Sequence, residues 1–219
     1  MVQIKTYHLP PTSLIPNSPR PLLYYPGFFP VSSTQDTAAA HVYEIFAKNG
    51  WQTQWIFRYG STQASHYHSD VHECMVVLSG SATIQFGAAD QEDNADDSTN
   101  TTNDDKEEEG IKLQAHPGDV FVIPAGVAHK TFNTDPCLPF ALLTPGDGHD
   151  VSAQDQRQAI ADVPLSGFTM MGAYPKQGGA WDFCTGGHVE DYEKVWTVVK
   201  PDRDPVLGQA EEGLVGRWS

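Results

Sequence analysis

From Trp51 the chain alternates with a period of two. Trp51, Thr53, Trp55, Phe57 and Tyr59 fall on one side, and Gln52, Gln54, Ile56 and Arg58 on the other. That is the pattern of a β-strand with one buried face. Short apolar runs at 64–68, 73–79, 81–87, 111–115, 119–123 and 128–133 predict further strands, and those at 138–143 and 167–174 close the series. Ser79-Gly80, Pro117-Gly118 and Ala125-Gly126 punctuate them. Many short strands at this spacing predict an all-β domain, closed as a barrel or packed as a sandwich. One stretch breaks the period. Ala38, Val42, Ile45 and Phe46 recur at helical spacing, and Ser33 with Asp36 three residues on forms an approximate capping box. Asn49-Gly50 supplies the stop, so one amphipathic helix is expected against the outside of the sheet.

This reading divides the chain into three parts. Residues 1–50 make an N-terminal arm and helix, the arm carrying seven prolines in its first thirty residues. Residues 51–174 make the barrel. Residues 175–219 make an extension that packs on the barrel through Trp181, Phe183, Trp196 and Trp218, with a short strand expected at Val195–Val199. Within the barrel, residues 88–110 hold ten Asp or Glu and one Lys. Such a segment has too little apolar surface to order itself and reads as a disordered acidic insertion at a hairpin tip.

Composition narrows the function classes. The net charge is −15, most of it in that one insertion. An acidic chain without a basic face is not expected to bind nucleic acid. No apolar run is long enough for a membrane span, and the first residues lack the apolar core of a secretory signal. Cys74, Cys137 and Cys184 are odd in number and far apart, which argues against a disulfide framework and for a reducing, cytoplasmic setting.

The candidate chemistry lies between Gly60 and Asn133. His66 and His68 are two residues apart, so on a strand both imidazoles point to one face. Glu73 is five residues further, an odd offset that an unbroken strand would turn away. A turn or bulge at Ser69-Asp70 would bring it back. His129 comes from a distant strand, directly after the Pro124-Ala125-Gly126 turn. Three imidazoles and a carboxylate make a metal-ligand set that leaves open positions on an octahedral ion. His72 is the alternative to Glu73, as a ligand or as a base beside the metal. Tyr67 and Thr131 are the other catalytic candidates, and Tyr59 and Asn133 are also expected near the pocket.

At this point the chain resembles the cupin superfamily. Gly60, His66, His68, Glu73 and Gly80 fill the pattern G-x5-H-x-H-x4-E-x6-G, and Gly118, Pro124, Gly126, His129 and Asn133 fill G-x5-P-x-G-x2-H-x3-N. The stretches HYHSDVHE, VLSGSATIQFG, PAGVAHK and GAYPKQG are similar to the YjlB-like single-domain cupins. The resemblance implies a double-stranded β-helix, or jelly-roll, barrel with one divalent transition metal inside. The residues matching the ligands are His66, His68, Glu73 and His129. Iron, manganese, nickel, zinc and copper all occur in such barrels, and an N3O donor set does not choose among them.

Two functions follow from that implication. One is a metalloenzyme acting on a small oxygenated metabolite, with dioxygenase chemistry favoured over isomerase or lyase chemistry. The other is a non-catalytic module that holds a metal and a small ligand. In either case the partner is a small molecule, with no nucleic acid and no membrane. The edge strands and proline-rich arm leave surfaces for a homodimer.

Overall fold

The computed structural model describes residues 3–30, 35–90, 110–187 and 192–218. The expected cap at Ser33 and nearly all of the acidic insertion lie outside these residues. Two antiparallel sheets form the body. The larger contains β1 (Lys5–Leu9), β2 (Ser18–Tyr25), β3 (Trp51–Arg58) and β4 (Glu73–Ser79), with β7 (Val120–Ile123), β9 (Ala141–Leu142) and β10 (Thr169–Pro175). Their order is β1-β2-β7-β4-β10-β3-β9. The smaller contains β5 (Ser81–Phe86), β6 (Ile111–Ala115) and β8 (His129–Asp135) in the order β6-β5-β8. The body is all-β, as the short alternating runs predict, and its jelly-roll form is the one the resemblance implies.

Two apolar layers result. The inner one, between the sheets, contains Trp55, Tyr59, Met75, Val77, Ile84, Phe121, Met170 and Tyr174. The outer one sets Cys74, Val76, Val120, Val122 and Met171 against Val42 and Phe46 of helix α1 (Gln35–Lys48). Strand β4 shows how strictly period two is obeyed. Glu73 and Met75 pair opposite Ile123 and Phe121 on β7 and face inward, as does Val77, while Cys74 and Val76 face the helix layer.

Several sequence expectations give way to tertiary context. Residues 64–68 join no ladder, but make isolated bridges His66 to His129 and Tyr67 to Cys184. The run at 138–143 shrinks to the two residues of β9. The expected strand at Val195–Val199 is replaced by helix α3 (Tyr192–Trp196), because Tyr192 and Val195, three apart, are both buried while Trp196 donates to Pro16 O at 3.1 Å. Helix α2 (Gln156–Ala161) occupies what reads as an irregular polar segment, and its N-cap is the Asp155 side chain, which accepts from Gln158 N. Trp51 and Trp55, expected on one face, lie on opposite faces. Gly172 pairs with Trp55 and Ala173 with Thr53, so Gln54 is an extra residue and the alternation reverses there.

The arm and the extension are both stitched to the barrel. Strand β2 pairs with β7, and Trp218 is fully buried, its Nε1 donating to Pro21 O at 2.8 Å. Asp204 is also fully buried, accepting from Tyr25 Oη, from the amides of Val206 and Leu207, and from Leu214 N at the start of α4 (Leu214–Arg217). No described helix is long and apolar enough to cross a membrane.

Candidate metal centre

Three local structures bring the histidines together. His66 and His129 form a hydrogen-bonded antiparallel pair, with His129 N donating to His66 O at 2.8 Å and His66 N to His129 O at 3.2 Å. His68 follows on the same edge, its carbonyl accepting from Gly126 N at 2.9 Å. Gly126 itself has φ +88°, and a Cβ there would lie 2.3 Å from Asn17 O, so only glycine lets the turn sit against the N-terminal arm. One ligand nitrogen from each of the three buried histidines lies within 4.8 Å of the others.

Glu73 enters from β4. Its Oε2 is 3.2 Å from His129 Nε2 and 3.5 Å from His68 Nε2, and its Oε1 accepts from Tyr174 Oη at 2.5 Å. The odd offset from His68 is absorbed at a bend at Ser69-Asp70. Asp182 fixes that bend, accepting from Ser69 N at 2.7 Å and from Ser69 Oγ at 2.6 Å.

The arrangement leaves the right atoms bare. Backbone carbonyls face the Nδ1 atoms: Ala64 O lies 3.1 Å from His66, Asp182 O 2.5 Å from His68 and Val127 O 3.3 Å from His129. A carbonyl only accepts, so each Nδ1 carries the hydrogen and each Nε2 presents a lone pair to the shared space. His68 Nε2 and Glu73 Oε2 are buried with no hydrogen-bond partner, an expensive condition unless something fills the gap between them. The electrostatics suit a cation. Burial and the neighbouring His129 and His68 push the His66 imidazole down to about 2. Burial opposes ionisation of Glu73, but His68 and His129 outweigh it and hold the carboxyl at about 2. Burial likewise lowers His129, whereas at His68 burial is outweighed by Glu73 and the imidazole is raised.

Beyond these residues a cavity of about 160 Å³ opens. Trp55, Tyr59 and Tyr174 form its buried floor, and Phe57, Phe140, Trp181 and Phe183 form its rim, with Gln63 at one side. Phe183 stacks on the His66 ring, centroids 3.9 Å apart at 12°.

Of the other sequence candidates, Tyr59 lines the cavity as expected and the rest fall elsewhere. His72 lies on the opposite face from Glu73. Its Nδ1 accepts from Ala125 N at 2.8 Å, its Nε2 lies 3.1 Å from Arg20, and its ring packs on Trp218. Tyr67 packs with Ile15, Ala125, Ala128 and Val195. Thr131 is buried but does not line the cavity, and Asn133 is exposed with φ +53°. The reason is the same for His72 and Tyr67: each is next in sequence to a candidate ligand, and adjacent residues of an extended chain point apart.

Sequence reasoning passes over Tyr174, Asp182 and the cavity faces of Trp181 and Phe183. Tyr174 had no signal in the sequence, because only the pairing of Gly172 with Met75 and of Ala173 with Cys74 carries it next to Glu73. The 181–183 segment had none, because it is a loop without periodicity.

Comparison with known proteins agrees with the fold class. A family model described as Cupin matches residues 53–165. An uncharacterized protein, YjlB of Bacillus subtilis (strain 168), is 29% identical over 216 residues, 95% of this chain and 93% of its own. Among solved structures, an acireductone dioxygenase from Bacillus anthracis with a cadmium ion in its active centre is 15% identical at TM-score 0.35, covering 74% of this chain and 82% of that one. Procruciferin, an 11S globulin from Brassica napus, is 10% identical at TM-score 0.29, and the match takes in 57% of this chain but only 21% of that one. Tyr174, Trp181, Asp182 and Phe183 all lie beyond the last matched residue of the family model.

Proposed function

Because this chain belongs to the cupin family, we propose that it holds one divalent transition metal and acts on a small oxygenated molecule, in dioxygenase-type chemistry. His66, His68, His129 and Glu73 would be the ligands. The observation that carries this reading is the pair of orphaned, buried atoms, His68 Nε2 and Glu73 Oε2, aimed into one space. A hydrogen-bonded polar cluster would satisfy those atoms internally, whereas a metal site must leave its ligand atoms bare. A bound ion would supply Lewis acidity, and a redox-active one could also engage oxygen.

The chain's own residues have separate parts in this scheme. The carbonyls of Ala64, Asp182 and Val127 fix the imidazole tautomers. Tyr174 holds Oε1 of Glu73 and so aims Oε2. Trp55 Nε1 donates to Tyr174 Oη at 3.1 Å, which orients that hydroxyl toward the carboxylate. The aromatic rim limits the water that reaches the site.

The test is oxygen uptake by the full chain reconstituted separately with Fe(II), Mn(II), Ni(II), Cu(II) and Zn(II), against a panel of small hydroxyketones and phenols. Uptake with a redox-active metal and none with zinc is expected. Turnover of a panel member under zinc without oxygen would place the chemistry with isomerases or lyases. Metal loading without turnover of any compound would favour a binding module.

A further inference from the structure

The cavity walls carry information that the ligand set does not. Trp55, Phe57, Tyr59, Phe140, Trp181 and Phe183 supply nearly the whole lining beyond the candidate ligands and Tyr174. They are arranged face and edge: Phe57 stacks on Phe140 at 5.1 Å and 26°, whereas Trp55 meets Tyr59 at 6.4 Å and 67°. Such walls favour a flat guest with a π-face or apolar edge. The volume sets the guest's size, because an apolar cavity of about 150 Å³ accommodates benzene and this one measures about 160 Å³.

Charge sets a second limit. Among the described residues, no lysine or arginine lines the cavity. With Glu73 ionised, a divalent ion would leave the centre one positive charge in excess. One acidic oxygen on the guest neutralises that excess. A second carboxylate would be buried against aromatic rings without a partner, which is costly.

We propose that this cavity selects a planar, single-ring molecule bearing one acidic oxygen donor and no further anionic group. The inference rests on the metal reading above for the donor, but its ring component stands on the cavity alone. Phe140 and Phe183, 59% and 52% exposed at the rim, would close over the ring.

Three titrations of the full chain, followed by calorimetry, separate the components. The zinc-loaded chain is titrated with maltol, a flat ring with one acidic hydroxyl beside a ketone, and with malonate, an acyclic chelator with two carboxylates. The apo chain is titrated with phenol. Maltol should bind at least about tenfold more tightly than malonate. Phenol should saturate the apo chain, and Phe140→Ala, at an exposed rim position, should weaken it severalfold without loss of folding by circular dichroism. Malonate binding as tightly as maltol, or no saturable phenol binding, would overturn the proposal. If the chain retains no zinc, the metal reading fails instead, and saturable phenol binding weakened by Phe140→Ala still supports the ring pocket.

Discussion

Glu73 and His72 are neighbours in sequence and opposites in environment. Glu73 faces three imidazoles inside the barrel, and His72 lies under Trp218 outside it. That division was legible from the two-residue period once the strand was placed, though the choice between the two needed the motif. What pins Glu73 was not legible, because Tyr174 lies about a hundred residues away and reaches it only through strand pairing. Tyr174→Phe should therefore lower zinc affinity by roughly tenfold to a hundredfold. It should also cost about 1–3 kcal/mol of stability, because Trp55 Nε1 loses its acceptor. Competition with a chromophoric chelator measures the first, and unchanged affinity would remove Tyr174 from the site. His72 carries a different prediction. Burial, and then the Arg20 charge, push its imidazole from 6.5 down to about 3. The unfolded chain takes up that proton first, so this stability is complete above pH 6.5 and is lost as the pH falls toward 3. At pH 5 the loss is about 2 kcal/mol. His72→Gln, whose amide oxygen can still accept from Ala125 N, should shrink the difference in urea midpoint between neutral pH and pH 5. An equal difference in both proteins would contradict this.

At the scale of elements, most strands could be read from alternation, and the failures share one cause. A bulge, a two-residue strand or a helix that ends inside a β-branched run is decided by the neighbour it packs on, not by its own pattern. Val195 to Val199 reads VWTVV, a strand by propensity. Yet the indole of Trp196 donates to the carbonyls of Pro16 and Asn17, and that anchor selects a helix. The bulge opposite Gly172 is the most consequential case, because it turns Trp55 inward to floor the cavity. A Cβ on Gly172 would lie 2.0 Å from the Trp55 ring. A rigid indole in a packed layer has little room to yield, so Gly172→Ala should destabilise the fold by about 1–3 kcal/mol or more. Urea denaturation would show it, and a near-neutral result would mean that Trp55 can be displaced cheaply.

Across the whole molecule, both termini pack on the barrel from outside the matched domain, and the C-terminal extension completes the site. The N-terminal arm contributes β2 to the large sheet, and the extension contributes Asp182, Trp181 and Phe183 to the centre. Trp218 joins the two, fully buried with its indole on Pro21 O. Trp218→Ala should cost about 3–5 kcal/mol, read as a lowered melting temperature; a shift near zero would show the tail to be dispensable. The proposed metal ligands are His66, His68, Glu73 and His129, of which His68 Nε2 and Glu73 Oε2 are buried and bare. The direct measurement is elemental analysis of the full chain after reconstitution with zinc and desalting, beside His66→Ala and Glu73→Gln variants checked for folding by circular dichroism. The parent protein should retain about one ion per chain, with a large loss in His66→Ala and weakened retention in Glu73→Gln. Zinc far below one ion per chain in the parent, or equal zinc in all three proteins, would contradict it.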